Sequence, residues 1–305
     1  MARQPNRPGR RSNVLYYIEY LPLRLFIAAL KLLPVDMASN VVAAIARTVG
    51  PRIGVERRIR DNLRLVWPDI SRREMRRISA GVWDNFSRVL ADYANLYRIN
   101  AEFDERVEIA GLEHVAAVRD SGRPAILFSA HMGNWEMVAL AARHHGLPAT
   151  MIYRTFNNPY FDAYGRRIKR TCGLEMVGKG REGARRLTEV LRGKGRAMML
   201  VDVRMNDGIP VPFMGVDAMT PSAPAALALK YGALLLPVHA ERTGPARFRV
   251  VFDAPMEPVD TGDRNADIAA TMQAVNARIE SWIRARPEQW LWLHLRWGRH
   301  PKRRD

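Results

Sequence analysis

From Ala125 onward the chain alternates two kinds of text. Short continuous apolar runs are separated by stretches in which apolar positions recur every three or four residues. The runs are Ala125–Ser129 (AILFS), Ala149–Tyr153, Leu174–Val177, Ala197–Val203, Leu234–His239 and Arg247–Phe252. Their shortness and continuity suit strands buried on both faces. Between them Trp135–His145, Pro159–Thr171, Glu182–Arg192 and Ala223–Tyr231 read as helices, and a last helix covers about Ala266–Arg286. This alternation predicts an α/β fold, with a mostly parallel central sheet flanked by helices. Upstream, Val35 to about Leu96 is helical in period. Asp36 or Ser39 is placed to cap one helix, and Ser71 with Glu74 forms a capping box ahead of a long amphipathic helix.

The segment Val14–Pro34 is apolar but interrupted by Glu19, Pro22, Arg24 and Lys31. A spanning helix asks for about 20 uninterrupted apolar residues. At about 100° per residue Arg24 and Lys31 share a face opposite a wide apolar one, so an interfacial or shallowly inserted helix fits better. The expected organisation is a disordered basic tail over 1–13, a helical membrane-associating region over 14–100, and an α/β catalytic region over 101–305 that forms one domain with the preceding helices.

Charge sharpens this picture. The formal net charge is +17 and the pI about 10.8. Ten arginines face four acids between Arg47 and Arg77, and Arg296, Arg299, Lys302, Arg303 and Arg304 close the chain. Such a surplus points to a polyanion: an anionic membrane surface, acidic partners or nucleic acid. The single cysteine, Cys172, rules out an intramolecular disulfide and a thiolate metal cluster.

In a parallel sheet, chemistry gathers at the carboxyl ends of the strands. The run AILFSA ends at His131, and a glycine, Gly133, permits a tight turn before Glu136 opens the next helix. Glu136 is expected to accept from one imidazole nitrogen and leave the other free as a general base. Other motifs carry less. GKGREG, with Gly178, Gly180 and Gly183, has dinucleotide-loop spacing but follows a weak strand and reads as a loop that opens a helix. His144 and His145 point in different directions from a helix and make no metal site, and His239 reads as a packed strand histidine. Trp290, Trp292 and Trp297 with Tyr16, Tyr17 and Tyr20 suit either a membrane belt or the core. A nucleic-acid-binding protein would explain the charge but leaves His131–Glu136 without a task.

The string HMGNWE (His131–Glu136) resembles the signature of the late acyltransferases of lipid A biosynthesis in Gram-negative bacteria, of lauroyl- and myristoyl-transferring type: a histidine, four residues, then an acid. Further blocks resemble that family in order along the chain: RIRDNLRLVWPDIS, with Trp67 where phenylalanine is usual, YRTFNNPYFD, VDVRMNDGIPVPFMG followed by Thr220, LPVHAER and PEQWLWLHLRW. The resemblance implies a glycerolphosphate-acyltransferase-like fold and transfer of a fatty acyl chain from acyl carrier protein to a hydroxyl of an acylated lipid A precursor. This would take place at the cytoplasmic face of the bacterial inner membrane. Another membrane glycolipid, such as a mannosylated phosphoinositide, is the alternative acceptor. His131 and Glu136 would be catalytic, while Asn134, Trp135, Arg154, Asp202, Arg204 and Arg242 would bind substrate. Asn134 and Trp135 would shape the turn and pocket, and Asp202 would anchor one of these arginines rather than perform chemistry; Val203 stands where the family often has glutamine, which argues against a direct role for that neighbour of Asp202. A thioester is already activated, so no metal, nucleotide or other cofactor is expected.

Overall fold

A computed structural model of the chain describes residues 13–298. The tail over 1–12 and the basic residues from Arg299 onward lie outside the described residues. Helices α1 (Asn13–Lys31), α2 (Val35–Val49), α3 (Glu56–Val66), α4 (Arg72–Ala94), α5 (Leu96–Ala101) and α6 (Phe103–Arg106) come first. Then follow β1 (Val107–Ala110), α7 (Leu112–Asp120), β2 (Ala125–Ser129), α8 (Glu136–His144), β3 (Thr150–Tyr153), α9 (Pro159–Thr171), β4 (Met176–Gly178), α10 (Arg181–Arg192) and β5 (Arg196–Leu200). The chain continues through β6 (Ile209–Phe213), β7 (Val216–Thr220), α11 (Ala223–Tyr231), β8 (Leu234–Gly244), β9 (Arg247–Phe252) and α12 (Arg264–Ala285).

The main sheet has seven strands in the order β1-β9-β8-β2-β5-β3-β4. β2 lies at its centre, parallel to β5 and β8, and β3 continues parallel to β5 and β4. β9 runs antiparallel to β8 because only a short turn, ending at Ala246 with φ +48°, joins them. β1, absent from the sequence reading, adds parallel to β9. The sheet is therefore mostly parallel and covered on both faces, as the pattern predicts.

Alternation along β2 shows how the layers form. Ile126 and Phe128 enter one apolar cluster with Leu187, Ala228, Met272 and Ile279 of α10, α11 and α12. Ala125 and Leu127 enter the other, with Met137, Leu140 and Ile168 of α8 and α9. Every residue of AILFS is buried, which is why the run reads as unbroken rather than alternating.

Two local expectations changed. Ser71 caps α4 by accepting from the Glu74 amide at 3.1 Å, as its capping box requires. Neither Asp36 nor Ser39 caps α2, which begins already at Val35 behind Pro34. Asp36 pairs instead with Arg106 at 2.7 Å, and Ser39 accepts from Arg88 at 3.1 Å. The β6–β7 hairpin was also missed, although IPVPF buries every second residue at its end and Met214-Gly215, both with positive φ, make the two-residue turn.

Candidate active site

Strand β2 delivers Ala130 and His131 to the carboxyl edge of the sheet, and β5 delivers Val201 and Asp202 beside them. Asp202 is fully buried and both its oxygens have partners. Oδ2 accepts from the His131 backbone amide and from Trp290 Nε1, both at 2.8 Å. Oδ1 meets His131 Nδ1 at 2.9 Å. Burial by itself would raise the Asp202 pKa, but the neighbouring His131 and the bonds it donates override this and hold the carboxyl well below the usual range. An ionised Asp202 only accepts, so Nδ1 carries the imidazole proton and Nε2 carries the lone pair. No described residue hydrogen-bonds Nε2, and the His131 side chain keeps 18% of its surface exposed.

This geometry corrects the expected pairing. Glu136 does not hold the ring. It opens α8, is 2% exposed, and its Oε1 meets Lys169 Nζ of α9 at 2.8 Å. Its charge is felt by Tyr93, whose phenol is pushed well above its ordinary value by burial and then by Glu136. The histidine and the acid leave the turn in different directions, so five positions of separation place them near in sequence but on different partners. Asp202, expected to anchor an arginine, holds the histidine instead.

The turn between them is locked from several sides. Gly133 has φ +56°, and a Cβ there would lie 2.0 Å from the Ala240 carbonyl oxygen, so only glycine fits. Asn85 of α4 donates to the Gly133 and Gln289 carbonyls at 2.9 and 3.0 Å. The segment after α12 folds back over the turn: Gly133 N donates to Gln289 O and Leu291 N to His131 O, both at 3.0 Å. That return brings His294 against His131, with ring centroids 4.7 Å apart, while Trp135 stands 4.9 Å away on another side. Burial pushes the His294 pKa down to about 4, so this second imidazole stays neutral. Sequence reasoning gave His294 and Trp290 no part in the site; no spacing rule joins a strand tip to a segment so distant along the chain.

The remaining expected site residues divide. Trp135 flanks the histidine and is partly exposed. Arg154, just past β3, and Arg204, two residues past Asp202, are exposed, and neither pairs with a carboxylate among the described residues. Asn134 and Arg242 are not free for a substrate. Asn134 is 1% exposed, donates to Asp92 at 3.0 Å and accepts from the Glu136 amide at 3.1 Å. Arg242, its side chain 6% exposed, is held by Asp92 at 2.5 Å and Asn85 at 3.0 Å and lies over the Phe248 ring at 4.8 Å. Both corrections share one cause: Asp92, a buried carboxylate on α4, draws them inward. Arg296, counted with the basic carboxyl end, is likewise buried, bonded to Met219 O and Thr220 Oγ1 and stacked on Phe213. The tryptophans follow it: Trp290 and Trp292 are core residues. His239 is packed against Trp282 at 4.6 Å. GKGREG runs from the end of β4 at Gly178 through the two linking residues Lys179 and Gly180 into the first turn of α10, where Gly183 lies. Among the described residues no three His, Cys, Asp or Glu side chains come together as a metal ion would require.

Sheet and dyad together define the class: an α/β protein with a carboxylate-oriented histidine at its strand tips. Comparison with known proteins takes this further. The model of the bacterial lipid A biosynthesis acyltransferases matches residues 8–299, and the chain belongs to that family. It is similar to a phosphatidylinositol mannoside acyltransferase of Mycolicibacterium smegmatis, 26% identical over 284 residues that cover 87% of this chain and 86% of that one. A phosphatidylinositol mannoside acyltransferase of Mycobacterium tuberculosis is 29% identical over 194 residues, 62% of this chain and 59% of its own. The lipid A biosynthesis lauroyltransferase of Escherichia coli is 27% identical over 257 residues, 79% of this chain and 78% of its own.

Proposed function

We propose that this acyltransferase moves a fatty acyl chain from the thioester of an acidic acyl carrier protein to a hydroxyl of a membrane glycolipid, with His131 as general base. The observation that carries the reading is the Asp202–His131 contact, which leaves a basic Nε2 at the sheet edge. Nε2 takes the acceptor hydroxyl proton, the oxygen attacks the thioester carbonyl, and the tetrahedral oxyanion collapses with loss of the carrier thiol. Asp202 keeps the ring in the productive tautomer and stabilises the imidazolium. The thioester supplies its own activation, so the step draws on no metal or nucleotide.

Two acceptors share this chemistry. An acylated lipid A precursor is the first reading, supported by the family and by the lauroyltransferase relative. A mannosylated phosphoinositide is the second, supported by the mycobacterial relative aligned over most of both chains. Both are anionic, which suits the exposed guanidinium groups of Arg154 and Arg204. The positive balance also suits an acidic carrier and the cytoplasmic face of an anionic membrane, where α1 supplies a helix long and apolar enough, by length and composition, to insert.

The test is transfer of a radiolabelled lauroyl group from its carrier thioester to each purified acceptor in detergent. Wild-type protein is expected to label one of them, and His131→Ala to lose at least about 100-fold while remaining folded. Near-normal turnover by His131→Ala overturns the base assignment; no transfer to either glycolipid overturns the acceptor class.

A further inference from the structure

Helix α2 carries an apolar stripe that the protein itself leaves uncovered. Met37, Val41, Ile45 and Val49 follow one another every fourth residue, and each is between 41% and 56% exposed. Ile53, just beyond the helix, extends the stripe at 44%. The opposite side of α2 is fully used: Ala38 and Val42 meet Ile27 and Leu30 of α1 and Ala91 and Ala94 of α4 in one small cluster. Exposed large apolar side chains concentrate between Val14 and Ile53 among the described residues, and elsewhere stand singly, as Leu112 and Val259 do. A contiguous face of this kind marks an interaction surface rather than chance exposure.

Charge says what covers it. Arg52 folds back onto the Thr48 carbonyl at the end of the stripe, and Arg57 and Arg64 follow on α3, all exposed. Arg52 and Arg64 meet no carboxylate among the described residues, and Arg57 reaches Asp61 only at 3.8 Å. An apolar face that ends at the unpaired Arg52, with further exposed arginines on the following α3, is complementary to acyl chains beneath anionic headgroups.

We infer that α2 is a second membrane-seating element, lying in the plane of an anionic bilayer with Met37, Val41, Ile45 and Val49 among the lipid chains. This rests on the reading that the protein acts on a membrane lipid and adds how the site is held there. α4 makes the connection: Ala91 and Ala94 pack beneath α1 and α2, while Asn85 and Asp92 of the same helix clamp the turn that carries His131. Lipid contact at α2 is thus one rigid helix away from the base, and seating it sets where the dyad stands relative to the headgroups. α1 is docked on the same body, with Ile27 and Leu30 against α2 and α4 and Tyr20 stacked on Tyr160 of α9, so the two helices meet the bilayer as one unit.

The full chain carrying Val41→Asn and Ile45→Asn, both on the exposed side, is measured by flotation with vesicles containing phosphatidylglycerol and with vesicles of phosphatidylcholine alone. Wild type is expected to prefer the anionic vesicles, and the variant to lose at least about tenfold in partitioning onto them, in proportion to the apolar surface removed. Its melting temperature and its transfer to detergent-dispersed acceptor stay unchanged, which separates failure of seating from failure of the catalytic reading. In parallel, Ile45→Cys is labelled with an environment-sensitive fluorophore; the native Cys172 is buried and does not compete. A blue shift on adding anionic vesicles supports the inference. Unchanged flotation together with an unshifted probe overturns it, as does a wild-type dimer in vesicle-free buffer that the asparagine variant converts to monomer, which would make the stripe a contact between copies.

Discussion

Asp202→Asn tests the site most sharply, because the two faces of the carboxylate answer differently to an amide. Asparagine keeps the shape and one acceptor oxygen but places an NH₂ where the other oxygen was. If that NH₂ takes the Oδ2 position it confronts two donors, the His131 amide and Trp290 Nε1, both now 2.8 Å from an acceptor. Leaving two buried donors unsatisfied costs about 1–3 kcal/mol each. If it takes the Oδ1 position it confronts one group, Nδ1, which can adapt by giving up its proton. The second arrangement wins, and the imidazole is forced into the tautomer with hydrogen on Nε2. The fold survives and the base is lost. By analogy with other carboxylate-oriented histidines the rate falls by about a thousand- to ten-thousandfold, equivalent to about 4–5.5 kcal/mol of activation free energy. The assay is initial-rate acyl transfer in detergent at saturating donor and acceptor, with thermal melting as the control for folding. Nitrogen chemical shifts of the labelled ring report the tautomer directly. A variant that melts like wild type, shows hydrogen on Nδ1 and turns over within about tenfold of wild type would refute the argument.

Glu136→Ala should act through stability first: it strands the buried Lys169 ammonium, a loss of about 3–5 kcal/mol, read as a fall in the denaturant midpoint, whereas Glu136→Gln should lose less. Gly133→Ala should both destabilise the protein and lower the rate, because the new methyl meets the Ala240 carbonyl and the backbone sits at φ +56°; soluble, fully active protein would contradict that geometry. Stability should also fall with acid in a defined window. His294 has a folded pKa of about 4 because burial disfavours its charge, against about 6.5 when unfolded. The unfolded chain therefore binds the extra proton first, so stability from this group is complete above about pH 6.5 and is lost between there and pH 4, by about 3 kcal/mol in all. Urea midpoints across that range should slope less steeply for His294→Gln than for wild type.

Much of this protein is legible before any coordinates. AILFS announces itself because a parallel strand covered on both faces needs an unbroken apolar run, while RFRVVF, exposed at Arg247 and Arg249, shows the alternation of a half-buried strand; both end where their strands end. Pro159–Thr171 and Ala223–Tyr231 are helices with the bounds their periodicity implies, and Ser71 caps its helix through chemistry local to four residues. His131 at a strand tip followed by Gly133 is local too, and so is the family resemblance that HMGNWE carries. What failed is what depends on partners far along the chain. Which carboxylate reaches the imidazole was decided by β5 lying beside β2, not by the five positions between His131 and Glu136. Arg242 and Asn134 read in sequence as substrate-binding groups and Arg296 as part of a basic tail, yet all three are interior, because Asp92 and the Thr220 region offer them partners that only packing brings near. Periodicity and spacing record the forces a residue feels from its own segment. The dyad, the neutral His294 and the seating of α2 on α4 arise where segments with no common period meet, and there only the tertiary structure decides.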